Sequence, residues 1–215
     1  MSIGVLVVDD QALFRAGMAL IISTQPDLVL VGECASGEDA VRRVRERNDV
    51  DVVLMDIRMP GLGGVGATAA ITAAPNAPRV LVLSTFDDDR TVADAIAAGA
   101  SGFVLKDARA ELLLSSVRSV ADGTAVLARS ASLHRFAAGP PAHPASPPPA
   151  LETLTRSEHA VFRHAVAGLS NPEIAAATSL SEATVKSYLS RILTKLGVRD
   201  RVQLVLYAVR HGLLD

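Results

Sequence analysis

Between Ala137 and Ala150 the chain reads AAGPPAHPASPPPA, six prolines in fourteen residues, and no single compact fold runs through such a stretch. Proline lacks the backbone donor and fixes φ, so the segment is neither a helix interior nor a central strand. It reads as an extended spacer of roughly 40 Å when fully stretched, at about 3.1 Å per residue. The expected organisation is therefore a first domain over residues 1–136, a proline-rich linker over 137–150 and a second domain over 151–215.

The two flanks differ in charge. Residues 1–136 hold 13 Lys and Arg against 17 Asp and Glu, whereas residues 151–215 hold 8 against 6. A net charge of -2 for the whole chain thus hides a basic C-terminal part, which points to nucleic acid as a partner of that part alone. One cysteine, Cys34, excludes an internal disulfide and a cysteine-based zinc site, and its apolar surroundings fit a small buried side chain. The N-terminus has no basic leader, and no apolar run approaches the roughly 18 residues of a membrane span. A cytoplasmic protein with no membrane partner is expected.

Before the linker, short Val- and Leu-rich runs recur at Gly4–Val8, Leu28–Gly32, Val52–Met55, Val80–Leu83 and Gly102–Leu105. None alternates with polar residues, the pattern of parallel strands buried on both faces. Stretches with helical spacing separate them, at Ala12–Ser23, Gly37–Arg47, Val65–Ala73 and Asp89–Ala98, and Ala110–Asp122 follows the last. The expectation is an α/β domain with a doubly wound, five-stranded parallel sheet. After the linker no strand pattern occurs. Ser157–Ala167, Pro172–Thr178, Glu182–Leu196 and Arg201–His211 read as helices of a small all-α domain, with Thr155 or Ser157, Asn171 and Ser181 as candidate caps.

In an open parallel sheet, ligands bind where loops leave the carboxyl ends of strands. Here those ends carry Asp9 and Asp10, Asp56, Ser84 and Thr85, and Lys106. Three carboxylates on one edge need a hard cation to coexist, and an oxygen-only donor set suits Mg2+. A hydroxyl and a lysine opposite complete a cradle for a phosphoryl group.

VLVVDDQ, VLMDIRMPGLGG, VLVLSTFDDD and GASGFVLKDA resemble, in order and spacing, the receiver domain of two-component response regulators, and the whole chain resembles the NarL/FixJ type. The resemblance implies a flavodoxin-like fold with Asp56 as phosphoacceptor. It implies Mg2+ held by Asp9, Asp10, Asp56 and the backbone carbonyl of Arg58. Ser84 becomes the switch hydroxyl, Phe103 the aromatic that repacks, and Lys106 the partner of the phosphoryl oxygens. Arg58 and Phe86 would flank the path of attacking water. The chain departs from the family at Gly61–Gly64, where relatives carry an acidic residue at position 63; this loosens the start of the third helix and leaves the pocket intact.

In the C-terminal part, Pro172–Thr178, a turn at Ser179–Leu180 and Glu182–Leu196 have helix-turn-helix proportions. Val185, Leu189, Ile192, Leu193 and Leu196 form one face of the last helix; Lys186, Ser187, Ser190, Arg191 and Lys195 form the other. That polar face suits a major groove. The segment is similar to the LuxR-type DNA-binding domain. By that similarity Lys186, Ser187 and Ser190 read base edges of double-stranded DNA, Arg191 and Lys195 hold phosphates, Thr184 and Asn171 anchor backbone, and Tyr188 packs or contacts a phosphate.

A phosphorylation-activated transcription regulator fed by a sensor histidine kinase is the leading reading. A Mg2+-dependent hydrolase with an aspartyl nucleophile usually needs a second Asp two residues on; Arg58 stands there, so the chain is not read as an enzyme. A receiver that is never phosphorylated conflicts with the intact set of Asp9, Asp10, Asp56, Ser84 and Lys106. The switch is expected to work by the receiver covering the recognition helix. Phosphorylated or DNA-bound chains are expected to form a homodimer through an exposed apolar stripe of Val202, Val205, Leu206 and Val209.

Overall fold

The computed structural model describes residues 2–85, 89–123, 126–127 and 148–213. It divides into two compact units, Met1–Ala128 and Arg129–Asp215. Residues 137–147 of the expected linker, and Phe86, lie outside the described residues.

In the first unit, strands β1 (Ile3–Val8), β2 (Leu28–Cys34), β3 (Val52–Asp56), β4 (Arg79–Ser84) and β5 (Gly102–Leu105) alternate with helices α1 (Ala12–Ser23), α2 (Gly37–Glu46), α3 (Gly63–Thr72), α4 (Asp89–Ala97) and α5 (Ala110–Ala121). All the pairings are parallel, in the order β2-β1-β3-β4-β5-β6. The five expected strands are present. A sixth, β6 (Val126–Leu127), adds two residues beside Gly102 and Phe103 and is too short to leave a sequence pattern.

The absence of polar alternation in the strands has its cause in this architecture. Val5, Val7, Leu54, Leu81 and Val104 pack on one face with Ile22 of α1 and Leu113 and Val117 of α5. Their neighbours Leu6, Val8, Val53, Met55, Val80 and Val82, pointing to the other face, are buried just as completely. The chain turns from one side of the sheet to the other between β1 and β3, so Asp9, Asp10 and Asp56 emerge at the topological switch point.

Among the described residues, the second unit has a short 3-10 helix, Pro149–Thr153, followed by α6 (Arg156–Val166), α7 (Asn171–Thr178), α8 (Glu182–Leu196) and α9 (Arg201–Arg210). Leu151, Leu154, Phe162, Ile174, Val185 and Ile192 belong to its core. Caps set the helix starts. The Thr155 hydroxyl accepts from Glu158 N–H while Glu158 accepts from Thr155 N–H, and Ser170 pairs with Glu173 in the same way. Ser170 thus caps α7 in place of the expected Asn171. The Ser-x-x-Glu spacing, with Pro172 inside the first turn, favours that register. Ser179 closes α7 in the left-handed conformation, φ 57°, and Ser181 caps α8 through Thr184 N–H.

The apolar stripe expected on the surface of α9 is not exposed. Val202 (0%), Val205 (4%) and Leu206 (7%) are buried and Val209 is half-buried. Helix α9 is apolar on two sides: Leu204 and Ala208 enter the helical core, and the stripe lies on the opposite side. A helix with two apolar faces has to bury both, and this one does.

Candidate functional site

The acidic site is built from strand ends. Asp9, Asp10 and Asp56 each offer a carboxylate oxygen, and these atoms lie within 4.8 Å of one another. Asp9 and Asp56 are buried, at 0% and 2% exposure, while Asp10 faces solvent. The ammonium of Lys106, from the end of β5, lies 2.7 Å from Asp9 Oδ2 and 2.9 Å from Asp56 Oδ2. It is the sole neutralising partner of these two shielded oxygens among the described residues, and neither has a hydrogen bond of good geometry.

Asp9 Oδ1 accepts from Gln11 N–H at 2.9 Å, and Asp56 Oδ1 from Arg58 N–H at 3.3 Å. Burial pushes the Asp56 carboxyl above the usual range, the Asp9 charge adds to this, and the Lys106 ammonium opposes it. Burial works against the charge on Lys106, but its two carboxylate partners prevail and hold it above the usual lysine value.

Three carboxylates and one ammonium leave two negative charges, and two of the oxygens are buried without a full complement of hydrogen bonds. That donor set fits a hard dication of the Mg2+ type.

Ser84 is buried at the end of β4, and its hydroxyl donates to Thr85 O at 3.0 Å. Phe103 is buried on β5. Two residues that the sequence reading passed over brace the site from α1. The Lys106 ammonium sits 4.7 Å from the centre of the Phe14 ring. Arg15 Nη1 donates to Asp9 O at 2.8 Å, while its Nε lies 3.7 Å from Glu33 Oε2. Their signal was the one-turn spacing after Asp10, which puts both on the first turns of α1.

On α8, the buried face is Val185, Leu189, Ile192 and Leu196, and Lys186, Ser187, Ser190 and Arg191 are exposed. Thr184 Oγ1 lies 2.8 Å from Ser181 Oγ within the cap. Arg191 stacks on Tyr188, 5.9 Å from the ring centre, and Tyr188 packs against the helical core.

Lys195, expected as a phosphate contact, is paired within its own domain. Its Nζ lies 2.7 Å from Glu158 Oε2 and donates to Thr153 O at 2.9 Å. The physical reason is that Glu158 is buried and needs a cation, and Lys195 is the residue that reaches it. Asn171 Oδ1, also expected near DNA, faces Arg201 Nη1 at 3.5 Å. Arg201, buried, donates to the carbonyls of Ala165 and Leu169 at the end of α6. No helix among the described residues is long and apolar enough to cross a membrane.

Comparison with known proteins agrees with both units. Residues 5–118 match the response regulator receiver domain, and residues 152–208 match the bacterial regulatory proteins of the luxR family. The chain is 35% identical to the transcriptional regulatory protein LnrK of Bacillus subtilis over 98% of both chains. It is 35% identical to the response regulator protein VraR of Staphylococcus aureus over the full length of both. Among solved structures, the response regulator ChrA of a heme-sensing two-component system aligns over 99% of both chains, with 32% identity and a TM-score of 0.53. The receiver domain of a putative response regulator NarL from Mycobacterium tuberculosis covers 57% of this chain and 98% of its own, at 34% identity and a TM-score of 0.54. The chain belongs to the two-component response regulators that join a receiver domain to a LuxR-type DNA-binding domain, a family of transcription regulators.

Proposed function

We propose that this regulator takes its phosphoryl group on Asp56 and that the resulting acyl phosphate controls DNA binding through α8. The observation that carries this reading is the grouping of Asp9, Asp10 and Asp56 around the Lys106 ammonium at the sheet switch point. A carboxylate oxygen of Asp56 attacks the phosphorus of a sensor kinase phosphohistidine. The P–N bond breaks, and its electrons leave with the imidazole, which takes up a proton. Asp9, Asp10, Asp56 and the carbonyl of Arg58 would hold Mg2+, which supplies charge neutralisation to the transferring group.

Lys106 then turns from Asp56 to the phosphoryl oxygens. Ser84 gives up its bond to Thr85 O to donate to them, and Phe103 repacks in the space released. Lys186, Ser187 and Ser190 read base edges, with Arg191 and Thr184 on the phosphate backbone. Phosphorylation then controls the pairing of two chains through α9. Val202, Val205, Leu206 and Val209 become available to a second chain, and two α8 helices then read a two-fold site. The domain limits are residues 1–136 and 151–215, joined by linker 137–150, and the protein works in the cytoplasm.

Incubation with Mg2+ and acetyl phosphate, followed by intact mass, tests the acceptor. Wild type gains one stable phosphoryl group, and Asp56→Asn gains none. Rapid release of phosphate would indicate a hydrolase, and an inert wild type a receiver that is never phosphorylated.

A further inference from the structure

Helix α3 begins under unfavourable conditions. Its cap residue Leu62 makes no side-chain cap, its first turn holds no acidic residue, and Gly63, Gly64 and Gly66 weaken its propensity. The carboxylate missing at position 63 is supplied from another helix. Glu38 Oε1, in the first turn of α2, accepts from Leu62 N–H at 2.8 Å. Helix α2 does not use Glu38 for its own start, because Ser36 caps it through Asp39 N–H. Glu38 therefore serves α3 as both cap and counter-charge to its N-terminus.

The contact reaches the acidic site through backbone. Gly61 turns with φ 73°, and a Cβ there would lie 2.5 Å from Glu38 Oε1. Two residues beyond Leu62, a Cβ on Gly64 would lie 2.0 Å from Asp56 O, so the first turn of α3 rests directly on the acceptor's own carbonyl. Gly64 N–H donates to Ile57 O at 3.1 Å, closing the loop that presents Arg58 N–H to Asp56 Oδ1. A shift at Leu62 therefore moves Ile57 and Arg58.

We propose that Glu38 is a positioning residue for the phosphoryl-acceptor loop: by holding Leu62 it fixes residues 57–62 against Asp56. This rests on the reading of Asp56 as acceptor. The experiment compares Glu38→Ala, Glu38→Gln, Leu62→Pro and the double variant Glu38→Ala/Leu62→Pro in the full chain. Leu62→Pro removes the N–H donor, together with the leucine side chain, at a residue whose φ of -60° already suits proline. Three readouts are taken: the calorimetric Mg2+ affinity, the initial rate with acetyl phosphate, and the exchange rate of the Leu62 amide where that amide is present.

Glu38→Ala and Leu62→Pro should each weaken Mg2+ binding and slow phosphorylation by about three- to tenfold, the range of one charge-assisted hydrogen bond near the surface. The double variant should be no worse than either single one, and Glu38→Gln, which keeps an acceptor but not the charge, should fall between wild type and Glu38→Ala. The Leu62 amide should exchange faster in Glu38→Ala and stay protected in Glu38→Gln. Unchanged Mg2+ affinity and rate in Glu38→Ala, or single effects that multiply in the double variant, overturn the proposal. Equal phosphoryl uptake by wild type and Asp56→Asn would overturn the acceptor reading instead, while amide exchange still tests the Glu38 bond.

Discussion

Lys195 Nζ lies 2.7 Å from Glu158 Oε2, tying the last turn of the recognition helix to the first turn of α6. The Glu158 side chain is 3% exposed and that of Lys195 32%, so the pair is shielded on the acid's side. Lys195→Ala strips a buried carboxylate of its cation and should cost about 1–3 kcal/mol of stability. Because its charge is already matched within the domain, the salt dependence of DNA binding should hardly change. Arg191→Ala should do the reverse, lowering the salt slope by about one with little loss of stability. Denaturant melts and binding isotherms at several salt concentrations check both; a lowered slope in Lys195→Ala would return that residue to the phosphate contacts.

The same pair sets a pH dependence. The Lys195 ammonium, followed by Thr155 N–H, holds the Glu158 carboxyl below the usual glutamate range. A lowered folded-state value means the unfolded chain takes the proton first as pH falls. The stabilisation is therefore complete at neutral pH and is lost as pH drops from about 4.3 through the lower folded value. Glu158→Gln should be less stable than wild type at neutral pH, and the gap should close below about pH 4. Denaturant melts across that range, followed on amides of α6 and α8, check this; a gap that widens on acidification contradicts it.

These two residues also mark where sequence reading stops. Lys195 lies on the polar side of an amphipathic helix, and periodicity cannot show that a buried carboxylate from α6 waits there. The partner of the α9 stripe was hidden for a similar reason, since an apolar face shows that something covers it but not what. Glu38 was invisible because its partner is a backbone N–H 24 residues away. By contrast, the sheet was legible because strands buried on both faces lose all polar alternation. The acidic site followed from it, since parallel strands deliver their carboxyl ends to one edge. Asp9, Asp56 and Lys106 meet there as a consequence of topology.

Lys106 gives a third prediction. Removing it leaves Asp9 and Asp56 buried beside each other without a cation, a loss of about 3 kcal/mol. Lys106→Ala should melt earlier than wild type in Mg2+-free buffer, and added Mg2+ should raise its melting temperature by more than it raises that of wild type. Calorimetric melts with and without Mg2+ decide this; equal shifts in the two proteins would mean that Lys106 and the cation do not answer the same charge.

Lys186 is expected to read a base from the exposed face of α8. Lys186→Ala should cost about 1–3 kcal/mol in binding a preferred site and much less on unrelated DNA, narrowing the ratio between them. Competition between the two DNAs measures it, and an equal loss on both would make Lys186 a phosphate contact.

The central claim is that the phosphoryl group on Asp56 governs DNA binding by the whole chain. Its most direct test is the affinity of the full-length protein for DNA fragments selected with the phosphorylated form, measured before and after treatment with Mg2+ and acetyl phosphate. Wild type should tighten by roughly 5- to 150-fold, the usual span of coupling between two sites, and Asp56→Asn should not respond. Equal affinity of treated and untreated wild type, or an equal gain in Asp56→Asn, would contradict the account.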